Sequence, residues 1–292
     1  MTIVTTDPII ADVPVVSNNE VMQAPSEVEH TYKGKFKLDG NKWAYVAGLS
    51  LSDFNQLQTW TFNGDISGNF IDAEKDHGND DDDLMCWAGA AANVLWYTGW
   101  AKKDENGDTP FANEDAVFQH FVDNFTNVGA TQDSTFYSVA WFLSGVYYPS
   151  IFDPYNDEIP QLKPNADGGG FHTDVDLETI GGFCSVTGSD WSNMSTMADL
   201  FKNDYGIGLQ LERTDGELGH AVTAWGYVYD ESYSTTSQSY YQGVLITDSD
   251  NDQDTVSTSI KAPNTLTYIK LTWDRSKKYY KLPMDYYDGE YY

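Results

Sequence analysis

The sequence is short of three things, and each shortage removes a class of explanation. Cysteine is the first: Cys86 and Cys184 are the only two in 292 residues. At most one bridge can form, so a disulfide-stapled scaffold is excluded, while the redox compartment stays open. Positive charge is the second. Lys and Arg number 16 against 45 Asp and Glu, a net charge of −29. Nucleic acid is held by basic faces, so it is excluded as a partner, and an anionic membrane surface is disfavoured on the same ground. The third is a long apolar run: none reaches the roughly 18 residues of a membrane helix. The first lysine is Lys33. The N-terminus therefore has no basic n-region, and no ordinary secretory signal is visible.

What is present argues for a packed protein. Hydrophobic residues make up 40% and aromatics 15%, which excludes wholesale disorder. A chain of this size buries roughly 75% of its unfolded surface, enough for a core without staples. Residues 1–31 contain no Trp, Tyr, Phe, Lys or Arg but carry five acids. They read as a flexible acidic leader with little to bury. Aromatics begin at Tyr32 and continue to Tyr292, with no internal repeat or linker, so residues 32–292 read as one domain.

The element pattern is mixed. Lys42–Leu51 and Thr59–Asn63 look strand-like, and Gly68–Asp83 is a polar loop. Leu84–Trp100 has apolar residues at helical spacing, with Gly99 near its end. Asn113–Phe125, Ser134–Gly145 and Trp191–Tyr205 also read as helices, and Gly168–Gly170 marks a turn. Five strand-like stretches follow: Gly206–Glu212, His220–Tyr229, Gly243–Asp248, Thr265–Trp273 and Lys278–Leu282. Helices first and strands second is an α+β signature.

Cys86 falls at the start of the first helix. The unpaired N–H groups and partial positive charge of a helix N-terminus favour a thiolate. They also offer donors to the oxyanion of a tetrahedral intermediate. Asp80 to Asp83 precede the helix, and their charge opposes a thiolate, so they must point away or be offset by a cation. A buried, inert cysteine is the plain alternative, and a partner is needed to choose. Of five histidines, His220 alone opens a buried-looking strand. His77 lies in the acidic loop and His120 on a polar helix face. A third group should orient the imidazole. If the strands opening at His220 and Gly243 pair antiparallel, Asp248 at the end of the second lies beside His220.

Cys86-Trp87-Ala88 opening a helix, then His220-Ala221-Val222 on a strand followed by Gly226-Tyr227, resembles the papain-like cysteine proteases. A closer similarity is to the family of streptococcal immunoglobulin G-degrading cysteine proteases. It rests on Asp72-Ala73-Glu74-Lys75, on Asp82-Asp83-Leu84-Met85-Cys86, and on Ala90, Ala92 and Asn93. Further along it rests on His220, Trp225-Gly226 and Thr247-Asp248-Ser249-Asp250. These residues keep the family order over about residues 66–252. Trp87 follows the cysteine as in papain, where the streptococcal family has Gly, and the central region Lys102–Asp190 shows little likeness.

The resemblance implies a papain-like fold, with a central Cys-bearing helix packed on an antiparallel sheet. It implies a Cys86-His220-Asp248 triad and an oxyanion role for Lys75, where classical papains use a Gln. No Gln occurs between Gly64 and Cys86. Asp250 is the implied supporting residue around His220 or Lys75. The activity implied is that of a secreted endopeptidase acting on a protein substrate, with immunoglobulin the substrate of the closest family. No cofactor and no metal are expected, and the chain is expected to be a monomer. The alternative is a catalytically silent protein- or carbohydrate-binding module on a protease-like fold, using the nine Trp and twenty Tyr. Transglutaminase-like acyl transfer would use the same triad. Asp248–Asp254 alternates like a calcium loop but has Gln253 and Ser259 where an EF-hand needs Gly and Glu. His77 lacks a second His or Cys ligand nearby. Cys184 reads as a free buried thiol rather than a partner for Cys86.

Overall fold

The computed structural model describes residues 2–6, 32–49, 66–67, 70–75, 81–129, 134–147, 160–175, 184–187, 191–203, 205–211, 219–250, 265–275, 279–283 and 290–291. Helices and antiparallel strands are both present, as the α+β reading requires. Among the described residues the helices are α1 (Cys86–Thr98), α2 (Glu114–Asn124), α3 (Ser134–Ser144) and α4 (Trp191–Lys202). The strands are β1 (Thr2–Thr6), β2 (Tyr32–Asp39), β3 (Lys42–Leu49), β4 (Ile66–Ser67), β5 (Cys184–Thr187) and β6 (Gly206–Leu211). They continue with β7 (His220–Asp230), β8 (Tyr241–Thr247), β9 (Thr265–Lys270), β10 (Thr272–Asp274), β11 (Tyr279–Pro283) and β12 (Glu290–Tyr291).

The main sheet runs β4-β9-β8-β7-β6-β1-β5, with β3 also on β7 and β2 on β3. Its axis is β7. Residues 220–224 of β7 pair with β6 and residues 226–230 with β3, while β8 pairs along the other edge. The register on β8 slips between Ala224 and Gly226. At Gly226 the other edge of β7 is approached closely by β3, where a Cβ would lie 2.1 Å from the Tyr45 carbonyl oxygen. β10, β11 and β12 form a separate three-stranded sheet.

Both faces of β7 are covered, which explains its near-continuous apolar sequence. Before the slip its residues alternate between two cores. Ala221 packs with α1, α2 and α3. Val222 and Ala224 pack with Met194, Met197 and Phe201 of α4. Helix α1 lies against β6, β7, α2 and α3. Its small residues, Ala88 to Ala92, let it sit that deep, and Cys86 through Leu95 are all buried. Gly99 ends it in the left-handed conformation, at φ 89°. Helix α2 is capped by Asn113, whose side chain accepts the Ala116 N–H at 3.0 Å.

Three expectations change. Thr2–Thr6, inside the stretch read as a flexible leader, form β1 between β5 and β6; the rest of that stretch lies outside the described residues. A further strand precedes the helices: β2, which was not expected, forms a hairpin with β3, the strand expected from Lys42, and the hairpin joins β7. Lys33, Lys35 and Lys37 of β2 alternate with Phe36 and Leu38, the period-2 pattern of an edge strand. His120 is not on a polar face: it is half-buried, stacks on Trp141 and meets Phe111 and Phe171 edge-on. Thr59–Asn63 lies outside the described residues.

Candidate active site

Helix α1 begins at Cys86 with Met85 as its N-cap, and no side chain caps it. The N–H groups of its first turn therefore have no side-chain acceptor of the usual kind. The start of the helix is pinned from three sides. Met85 N–H donates to the Asp82 carbonyl at 2.8 Å. Trp87, fully buried, donates its ring N–H to the Val128 carbonyl at 2.9 Å and packs edge-on against Phe121 and Phe125. Thr135 reaches the Trp87 carbonyl at 3.4 Å. Cys86 is a free thiol, 6% exposed.

The sheet delivers the partners. His220 opens β7 and is 4% exposed. The next backbone N–H, of Ala221, donates to Cys86 Sγ at 3.4 Å. Thr223 pairs with Thr247 in register, so the residue after β8, Asp248, falls beside the start of β7. His220 Nε2 donates to Asp248 Oδ1 at 2.8 Å; a carboxylate only accepts, so that nitrogen carries the proton. The antiparallel pairing that placed Asp248 beside His220 in the sequence reading is present. Asp248 Oδ1 also accepts the Asp250 N–H at 3.1 Å. Asp250 Oδ2 lies 3.7 Å from His220 Nδ1, leaving the second ring nitrogen on the side of Asp250 and Cys86.

Lys75 completes the cluster. It is 2% exposed. Its ammonium is paired with Asp250 Oδ1 and donates to the Asp83 carbonyl. Its backbone N–H donates to the Ser249 carbonyl at 3.3 Å. Two side chains hold these segments in place. Asn93, on the sheet-facing side of α1, accepts the Ala73 N–H at 2.7 Å and donates to Thr223 Oγ1 at 3.0 Å. Trp225 donates to Thr247 Oγ1 at 2.9 Å, and that hydroxyl donates to the Ile71 carbonyl at 3.2 Å. Gly89 lets the turn after β8 approach α1, since a Cβ there would sit 3.0 Å from Ser249 Cβ.

The surroundings favour the charged forms of His220 and Lys75. Burial alone would push the His220 imidazole down, but the Asp248 carboxylate and the Cys86 sulfur outweigh it and hold the group well above its ordinary value. Burial likewise opposes the Lys75 charge, and Asp250, Cys86 and Asp248 overcome it. Of the acidic run, Asp81 and Asp83 are exposed and Asp82 is buried. The exposed pair points away from the sulfur, as the helix start requires, while the Lys75 ammonium is paired with Asp250 rather than with a carboxylate of the run.

Lys75, Cys86, His220, Asp248 and Asp250 thus converge. His77 and Asn251–Asp254 lie outside the described residues, as does the side chain of Cys184. His220, Asp248 and Asp250 also present ligand atoms within 4.8 Å of one another, a metal-like spacing. Lys75 already sits on Asp250, which works against a second cation there. Ser249 and Asp72 stand in the motifs quoted above, but neither is assigned a role of its own there. Asn93 carried a usable signal, a lone amide within an Ala/Val/Leu-rich buried helix.

No protein-family model matches the chain, and no curated protein matches it.

Proposed function

We propose that the chain is a cysteine endopeptidase working through Cys86, His220 and Asp248, in a papain-like arrangement. The observation that carries this reading is the bond from His220 Nε2 to Asp248 at 2.8 Å, made while the Ala221 N–H touches Cys86 Sγ at 3.4 Å. An imidazole oriented by an acid beside a thiol at a helix start is the arrangement that activates a sulfur nucleophile.

In this reading His220 Nδ1 takes the thiol proton. The sulfur attacks the scissile carbonyl and the imidazolium returns the proton to the leaving amine. Water then attacks the thioester carbon, losing its proton to His220, and the acid product leaves as Sγ regains a proton. The oxyanion is met by the Cys86 N–H and by Lys75. An ammonium has three donors; Asp250 and the Asp83 carbonyl take two, leaving a third for substrate. Asp250 holds that ammonium in place and faces His220. Immunoglobulin is the substrate suggested by the family resemblance, and secretion is the matching location.

The test is incubation with immunoglobulin G and, separately, with an unfolded generic protein, with cleavage sites mapped by mass spectrometry. Cleavage that disappears in Cys86→Ala supports the endopeptidase, and a single site in immunoglobulin supports the narrower substrate. Amine incorporation without peptide release would point to acyl transfer instead. Binding of either protein without cleavage would point to the silent module.

A further inference from the structure

One buried titratable group beside the site has no part in the mechanism above. Asp72 is 2% exposed and lies three residues before Lys75. Neither of its carboxyl oxygens receives a well-formed hydrogen bond. Its side-chain neighbours are the Glu74 carboxyl and the Thr247 hydroxyl, with Asp248 near enough for its charge to act. Its backbone N–H donates to the carboxyl of Glu114 at the start of α2, which Lys102 also faces. The adjacent cation, Lys75, is committed to Asp250. An ionised Asp72 would be a desolvated carboxylate facing two others, which is the costly case.

A neutral acid removes the conflict, because it has a proton to donate. Glu74 supplies one acceptor. Thr247 supplies another: its oxygen has two lone pairs, and the Trp225 ring N–H occupies one. We infer that Asp72 is a positioning residue acting as a neutral carboxylic acid, whose proton ties the segment carrying Lys75 to the strand end carrying Asp248. The positioning role rests on the peptidase reading; the neutral acid does not. Burial first, then Glu74 and Asp248, drive the Asp72 carboxyl well above the ordinary carboxylate range, in agreement with the contacts.

Two readouts test this. The first is infrared spectroscopy of the whole chain in neutral heavy-water buffer. The carbonyl stretch of a protonated carboxylic acid is expected in the parent and lost in Asp72→Asn. Absence of the band from the parent, or its persistence in Asp72→Asn, overturns the proposal. The second is the rate of Cys86 alkylation by iodoacetamide, which does not depend on any substrate. Asp72→Ala is expected to slow it about ten- to a hundredfold, the scale on which a misplaced site loses rate. Asp72→Asn is expected to recover most of that loss, because its amide donates where the acid proton did. An Asn variant no better than Ala, or an Ala variant equal to the parent, overturns the positioning role. If Asp72→Ala does not fold, Asp72→Leu, which fills the space without a donor, takes its place: a rate equal to that of Asp72→Asn overturns the positioning role. A parent that shows the band and the alkylation pattern but cleaves no peptide would sink the peptidase reading and leave the neutral acid standing.

Discussion

At the scale of single residues, the family resemblance put Lys75 at the site, but its burial at 2% exposure had no local signal. A lysine in a polar, aspartate-rich stretch reads as solvated, because nothing local signals burial. Its partners, Asp250 and the Asp83 carbonyl, come from 175 and eight residues away, and only the fold joins them. Removing one member of a buried ion pair leaves the other uncompensated. Lys75→Ala should therefore cost about 3–5 kcal/mol of stability by denaturant titration, in addition to about 10²–10³ in kcat if it serves the oxyanion. A variant as stable as the parent would contradict the buried pairing. His220 gives the pH prediction. Its folded value is raised above the ordinary 6.5, so the stability it contributes is complete below that pH and is lost as pH rises through the raised value. Peptidase activity should fall over the same alkaline range. Asp248→Asn keeps an acceptor for Nε2–H but removes the charge, so the fall should move to lower pH. A parent profile that falls near the ordinary histidine value would contradict the pairing.

At the scale of elements, helix α1 was legible because its signals are local: small residues, helical spacing and a terminal glycine. Observed bounds of Cys86–Thr98 lie inside the expected Leu84–Trp100. The antiparallel pairing of β7 with β8 was legible for a similar reason, since only a polar hairpin loop separates the two strands. β1 was not legible. Thr2–Thr6 is a five-residue segment whose strand state exists through pairing with β5 and β6, far along the chain, and local composition carries no trace of such pairing. Asn93 ties the elements together, joining α1 to the Ala73 backbone and to Thr223 of β7. Asn93→Ala leaves a buried N–H and a buried hydroxyl short of a partner. It should lower stability by about 1–3 kcal/mol, read as a lower denaturation midpoint, and should slow Cys86 alkylation because both site segments lose their tether. An unchanged midpoint would mean that these bonds are replaced at no cost.

At the scale of the whole molecule, a net charge of −29 sets up self-repulsion in the compact state. Added salt screens it, with a Debye length of about 3 Å at 1 M against about 30 Å at 0.01 M. The melting temperature should rise between those conditions; a fall would mean that exposed ion pairs outweigh the repulsion. The same charge argues in the sequence against nucleic acid and anionic surfaces as partners but points to no substrate. What the whole fold adds is convergence: a loop, a helix start, a strand start and a strand end meet around one sulfur, although Lys75 and Asp250 stand 175 residues apart. The central claim is that this meeting point cleaves peptide bonds. Its most direct test is hydrolysis of an unfolded protein by the parent, Cys86→Ala and Cys184→Ser, followed side by side by mass spectrometry. The account predicts peptide products from the parent and from Cys184→Ser and none from Cys86→Ala. Undiminished cleavage by Cys86→Ala, or none by a folded parent, would contradict it.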